Sequence, residues 1–395
     1  MAENVNVNQE TLQSGRAALG ELAAVFLKLG ATAFGGPAVH VAMLEQEVVH
    51  RRKWLSHEEF LDLLGAANLI PGPNSTEMAI HIGLRRAGWK GVIVAGACFI
   101  IPAFLIVFAC AWFYVRFARL PEIQGVLYGV KPVVLAIVFQ ALWRLTRTAL
   151  KTPLAIGTAI LALTASLLGL HELIVLLIAG IAAPVLRGMA ARWLRRPTNS
   201  VLAILPPLLP VGLIGSTTAA VSSPVGLAPL FLFFLKVGAV LYGSGYVLLA
   251  FLRGDLVQRW DWLTESQLLD AIAIGQVTPG PLFTTATFIG YVLAGPAGAC
   301  VATSGMFLPA FFFVAVSAPL IPRLRQSPVA GAFLDGVNAA SLSLMAAVTL
   351  QLLGGAFVDV TTVLLGLGSV MVLLANRLNP IWLILIAGAI GLILH

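Results

Sequence analysis

Two stretches of an apolar chain carry residue types from which chemistry can be built. Residues 68–77 read NLIPGPNSTE, and residues 276–285 read QVTPGPLFTT. In each, Pro-Gly-Pro ends the helix before it. Pro73 and Pro281 then suit the first turn of a new helix, where a missing N–H costs nothing. A helix beginning there presents unpaired N–H groups and about half a positive charge, so it suits an anion without a fixed cation. Asn74, Ser75 and Thr76 add side-chain donors in the first copy, as do Thr284 and Thr285 in the second. Asn68, Gln276 and Thr278 stand just before the breaks, and Gly72 and Gly280 form them. Gly35-Gly36-Pro37 offers a third helix start and Gly243-Ser244 a fourth, the glycines letting a ligand approach the backbone.

Charged residues near these stretches fall into two groups. Lys28 and Lys236 lie inside apolar segments, and Lys131 does too. A lysine at membrane depth is costly enough to suggest a role in balancing substrate charge, while snorkelling to an interface is the plain alternative. Asp62 and Asp270 precede the breaks, and Glu77 follows the first, where the second copy has Thr285. Buried carboxylates of this kind can carry a proton in exchange for substrate; Glu77 can equally cap its helix or pair with an arginine. Cys98, Cys110 and Cys300 show no CxxC spacing, and the six histidines form no HExxH pattern, so no metal and no cofactor is expected. A Walker-type GxxxxGK[ST] is absent from the sequence.

The elements that must position these residues follow from composition. Of 395 residues, 59% are apolar and 10% charged, and the mean hydropathy is +0.95. Soluble domains carry roughly a quarter charged residues. Long uncharged runs such as 89–115 and 296–318 match the ~20 residues that cross a bilayer. The chain reads as an all-α polytopic membrane protein, with the lipid bilayer as its partner and no nucleic acid. Its start lacks a basic, cleavable leader.

A shift of 208 residues lays FLKLGATAFGG (26–36) over FLKVGAVLYGS (234–244) and the first Pro-Gly-Pro over the second; 18 of 48 positions from Phe26 to Pro73 are identical. The unit is therefore written twice. The expected organisation is a tail over 1–15, a first repeat over 16–187, a linker over 188–228 and a second repeat over 229–395. Each half has an opening apolar segment, an amphipathic stretch, a break with re-entrant flanks, and four more apolar segments. That makes about five spans per half, about ten in all, and an odd number inverts the second copy. Eighteen of the 24 lysines and arginines precede residue 200, and their placement favours inversion with both termini outside. Residues 201–221, apolar but broken by Pro206, Pro207 and Pro210, are read as an interfacial linker. Facing broken helices in inverted repeats are a recurring transporter design.

The run from Phe34 to Gly88, with GGP and NLIPGPN at this spacing, closely resembles the signature region of the chromate transporter family. YGSGYVLLAFLRGDL, QVTPGPLFTTATFIGY and DGVNAAS resemble its other half. The resemblance implies an inner-membrane pump that exports chromate and confers chromate resistance, with sulfate a close analogue, and a homodimer is carried as an expectation. It is not expected to be an enzyme. An intramembrane enzyme or scaffold subunit is the reading from another class, and it would need a nucleophile–base pair or metal ligands that the sequence does not show. Membrane potential, proton exchange or both would drive the export.

Overall fold

The computed structural model describes residues 18–34, 37–194, 225–242, 247–317, 328–375 and 378–394, and every regular element among them is helical. Each half opens with two helical hairpins. In the first, α1 (18–32) is followed by α2 (Pro37–Glu45), which widens into a π-helical turn over Gln46–Arg51. Lys28 of α1 lies 3.7 Å from Glu47. Helices running on in one direction would hold these residues roughly 28 Å apart, at ~1.5 Å per residue. The chain has folded back.

The second hairpin holds the first break. Helix α3 (His57–Ala67) starts at a capping box, in which the Ser56 hydroxyl accepts from the Glu59 amide and the Glu59 carboxylate accepts from the Ser56 amide. After the break, α4 (Asn74–Phe117) begins, and Arg85 on its first leg lies 3.2 Å from Glu59. The two legs therefore run in and return, each reaching only ~16–20 Å. At Ala87–Gly88 the chain reverses again, with Gly88 at φ +59°. The second leg of α4 packs so closely on the first that a Cβ on Gly83 would sit 2.3 Å from the Gly91 carbonyl oxygen. Gly83→Val is expected to destabilise the protein by ~1–3 kcal/mol or more, read as loss of the monodisperse peak in detergent. An unchanged peak would mean that the legs can part freely.

Three further helices follow: α5 (Pro121–Ala149), α6 (Pro153–Leu167) and α7 (Glu172–Leu194). The second half repeats the plan with α8 (Leu227–Val240), α9 (Leu248–Phe251, then a π-helical turn over Leu252–Arg259), α10 (Glu265–Val277) and α11 (Thr285–Ser317). It ends with α12 (Pro328–Ala356), α13 (Val360–Leu374) and α14 (Pro380–Leu394). The copying reaches fine detail: Thr264 heads a second capping box, and Lys53 and Asp261 share positive φ values of +53° and +51°. Four helical stretches among the described residues are long and apolar enough to cross a bilayer, over 74–117, 121–147, 282–317 and 331–356, and several shorter apolar helices accompany them. Large apolar side chains such as Leu161, Leu364 and Ile393 face outward, whereas Thr76, Glu77 and Thr287 are buried. That outside-in distribution belongs to a multi-pass membrane protein.

The halves share one core, in which Val133 and Val134 of α5 join Leu344 and Met345 of α12. Helix α5 packs on α13 and α14, and α12 packs on α6 and α7. At one end of the bundle Arg86 lies 3.3 Å from Glu21, while Arg52 and Arg86 both stack on Trp54. Helix α1 thus begins at the same end to which α2 and the first leg of α4 return. The sequence predicts an α1 that crosses to the side opposite the basic residues, whereas the contact of Lys28 with Glu47 lays α1 beside the stretch that follows α2. The reading of 201–221 as a linker and the tail over 1–15 lie outside the described residues.

Candidate functional site

Each break is braced by the other half. The Gly72 amide donates to the Leu241 carbonyl at 2.7 Å, and the Gly280 amide donates to the Ala33 carbonyl at 2.8 Å. Adding 208 to the first bond's donor, and subtracting it from the acceptor, gives the second. Ala33 and Leu241 are the residues at which the opening helices end. Both glycines need positive φ, +141° at Gly72 and +90° at Gly280. A Cβ on Gly280 would lie 2.6 Å from the Ala103 Cβ, and one on Gly72 would meet the Glu77 carboxylate. These two amides join the halves and do not face a ligand.

The breaks differ as donor sets. At the second, Thr278, Thr284 and Thr285 each donate to a carbonyl of their own chain, Ile274, Pro281 and Leu282 in turn, all at 2.8 Å. Threonine hydroxyls commonly satisfy the carbonyls that an interrupted helix leaves free. At the first break, the Thr76 and Glu77 amides turn back to the Pro73 carbonyl, and Asn74 donates to Asn68 at 2.6 Å. Ser75 is buried beside them. The Thr76 hydroxyl and both Glu77 oxygens are buried without a hydrogen-bond partner, as is Nε2 of His81 one turn on. Nε2 of Gln276, from the second break, is likewise unpartnered. Neither a capping bond nor an arginine accounts for Glu77. Gly35, Gly36, Gly243 and Ser244 lie outside the described residues.

Lys28 and Lys236 belong to a second constellation that also occurs twice. Glu47 is approached by Lys28 at 3.7 Å, Arg51 at 3.2 Å and Arg52 at 2.9 Å. Asp255 is approached by Lys236 at 2.5 Å and Arg259 at 3.2 Å. Both carboxylates are buried, on the two π-helical turns. Sequence reasoning missed them, although the 208-residue shift lays one acid over the other. Lys236→Met leaves a buried acid short of its near partner and is expected to cost ~3–5 kcal/mol. Lys28 is 54% exposed, so Lys28→Met is expected to cost ~1 kcal/mol or less. Thermal unfolding in detergent separates the two; equal losses would show that burial does not set the difference.

Asp62 is exposed on α3, while its counterpart Asp270 is buried. The Tyr114 hydroxyl donates to Asp270 at 2.8 Å, and Lys131 lies 3.3 Å from Asp270 while donating to Ser266 at 2.8 Å. Tyr114 and Lys131 belong to the first half, Asp270 and Ser266 to the second. Among the described residues no group of three or more His, Cys, Asp or Glu side chains is placed to hold a metal ion.

A family model described as chromate transporter matches residues 20–184 and 228–392, one match in each half. The chain belongs to the chromate transporter family. It is 32% identical over 380 residues to a chromate transport protein of Cupriavidus metallidurans, covering 95% of this chain and 93% of that one. It is 34% identical to a probable chromate transport protein of Synechococcus elongatus, over 88% of each chain. A chromate transport protein of Pseudomonas aeruginosa is 32% identical over 94% of this chain and 91% of its own. No solved structure matches the chain. In this chromate transporter family member a cavity of about 670 Å³ lies between the halves, with Tyr114, Arg119, Lys131 and Asp270 on its walls. The inter-half ion pair is therefore reached from solvent at the end of the bundle away from Arg86.

Proposed function

We propose that the chain is a secondary transporter that exports chromate across the inner membrane and so confers chromate resistance. The observation that carries this reading is the family match in both halves, joined to a break at which buried polar groups of the first half stand unpartnered. The substrate is a tetrahedral dianion, and several converging donors suit it better than one point charge. Membrane potential, negative inside, favours its outward movement. The site comprises Ser75, Thr76, Glu77 and Gln276, while Lys131 and Asp270 line the cavity between the halves.

The two halves are inverted in this reading. Support comes from the hairpin openings: Glu59 and Arg85 of the first half lie with Glu21 and Arg86, whereas Ser266 and Asp270 of the second half meet Lys131 and Tyr114, beyond the long leg of α4. With α1 and α8 folded back each half keeps four full crossings instead of five, so the inversion rests on these contacts and not on an odd count of crossings; the start of α1 falls on the basic, cytoplasmic side. The test is uptake by everted vesicles of chromate against sulfate, with and without a pH gradient and a membrane potential. Chromate uptake above that of vesicles lacking the protein is expected. Uptake of sulfate alone would replace chromate by sulfate as the substrate, and uptake of neither would overturn the transport reading.

A further inference from the structure

Glu77 is fully buried beside the first break, its carboxylate folded back onto Gly72, where an added Cβ would lie 2.3 Å from Oε1. Its two oxygens have no hydrogen-bond partner, and the Thr76 hydroxyl next to it has none either. The groups that face it are few. His81 lies one turn on along α4, with Nε2 unpartnered; Tyr242 of the second half is within electrostatic reach; and Ala310 of α11 closes the other side of Gly72. No lysine or arginine among the described residues pairs with it. When ionised, this carboxylate at the start of a helix occupies the position that the helix end would offer to an anion.

We propose that the Glu77 carboxylate is a tethered anion at the first break, and that an oxyanion binds there only when Glu77 takes up a proton. Two negative groups in one unsolvated space repel strongly, whereas a protonated carboxyl is neutral and becomes an O–H donor to the incoming anion. The step is a protonation of one carboxylate oxygen, with no other bond made or broken. It follows that a proton is bound together with the anion and is not exchanged for it, which leaves membrane potential as the drive for export. The second half has no such group, because Thr285 stands at the equivalent position and its hydroxyl is already bonded to Leu282. This inference rests on the reading that the oxyanion binds at the first break.

The test uses the purified full-length protein in detergent, in weak buffer at mildly alkaline pH where chromate is the dianion, with sulfate as a second probe. Wherever the pH is high enough for free Glu77 to be ionised, a pH indicator should show the parent protein taking up about one proton per anion bound, with affinity falling about tenfold per pH unit. Glu77→Gln should bind with no proton uptake and no such pH dependence, while His81→Gln should behave as the parent does. Proton uptake that persists in Glu77→Gln, or disappears in His81→Gln instead, overturns the proposal, as does anion binding by the parent without any uptake. The parent measurement decides even if Glu77→Gln fails to fold. Failure of the site reading is separate: Thr76→Ala and Ser75→Asp would then bind anion with the parent's affinity.

Discussion

Gly280→Val is expected to leave little folded protein in the membrane. The native φ of +90° is one that a β-branched residue rarely adopts. The new side chain would also meet the Ala103 Cβ at 2.6 Å and the Gly30 carbonyl oxygen at 2.9 Å, and the latter, being backbone, cannot swing away. Strain and overpacking each cost ~1–3 kcal/mol, and loss of the Gly280–Ala33 hydrogen bond adds ~1 kcal/mol. Gly72→Val differs in kind, since its nearest neighbour is the flexible Glu77 carboxylate. It should fold better than Gly280→Val yet transport poorly. Size exclusion in detergent beside vesicle transport resolves the two; a Gly280→Val protein with parental yield and melting temperature would show that the cross-bracing at Ala33 is dispensable.

The other large effect is expected at Ser75. This residue is 4% exposed and two positions from Glu77. Ser75→Asp sets a fixed negative charge where the proposed substrate binds. Unit charges about 4 Å apart at an effective dielectric of 20 repel by ~4 kcal/mol, about a thousandfold in affinity. Ser75→Ala removes one neutral donor and should cost ~0.5–1.5 kcal/mol. The informative measurement is anion affinity for both variants at equal insertion. Parental affinity in an inserted Ser75→Asp protein would remove the substrate from this helix end.

Much of this architecture is legible in the residues themselves, and the reason is duplication. Identical Gly, Pro, Trp and Asp positions at one shift cannot come from shared hydrophobicity, so the repeat and its breaks can be read without coordinates. The family resemblance could likewise be read from GGP and NLIPGPN. Hydropathy alone did not reveal the fold-back of α1, because a 15-residue apolar leg looks the same whether it crosses or returns. Only the pairing of Lys28 with Glu47 tells the two apart. Partners of buried polar groups are equally hidden. Thr284 and Thr76 are the same residue type at equivalent positions of the repeat, yet one hydroxyl bonds its own chain and the other does not. Asp62 and Asp270 match in the repeat but part in burial, and Lys131, which reaches Asp270, has Asn338 as its counterpart.

The paired bonds from Gly72 to Leu241 and from Gly280 to Ala33 also bear on inheritance. Each break is braced by the opening helix of the other half, so a lesion at either break is felt in the opposite copy. What the two copies require of each other is adjacency, not a shared peptide. Two genes, one ending and the other beginning between residues 194 and 225, should therefore restore transport when expressed together and yield degraded protein when expressed singly. Co-purification of the two products through a tag on one of them is the measurement, and a stable, transporting single half would show that each break can close without its twin.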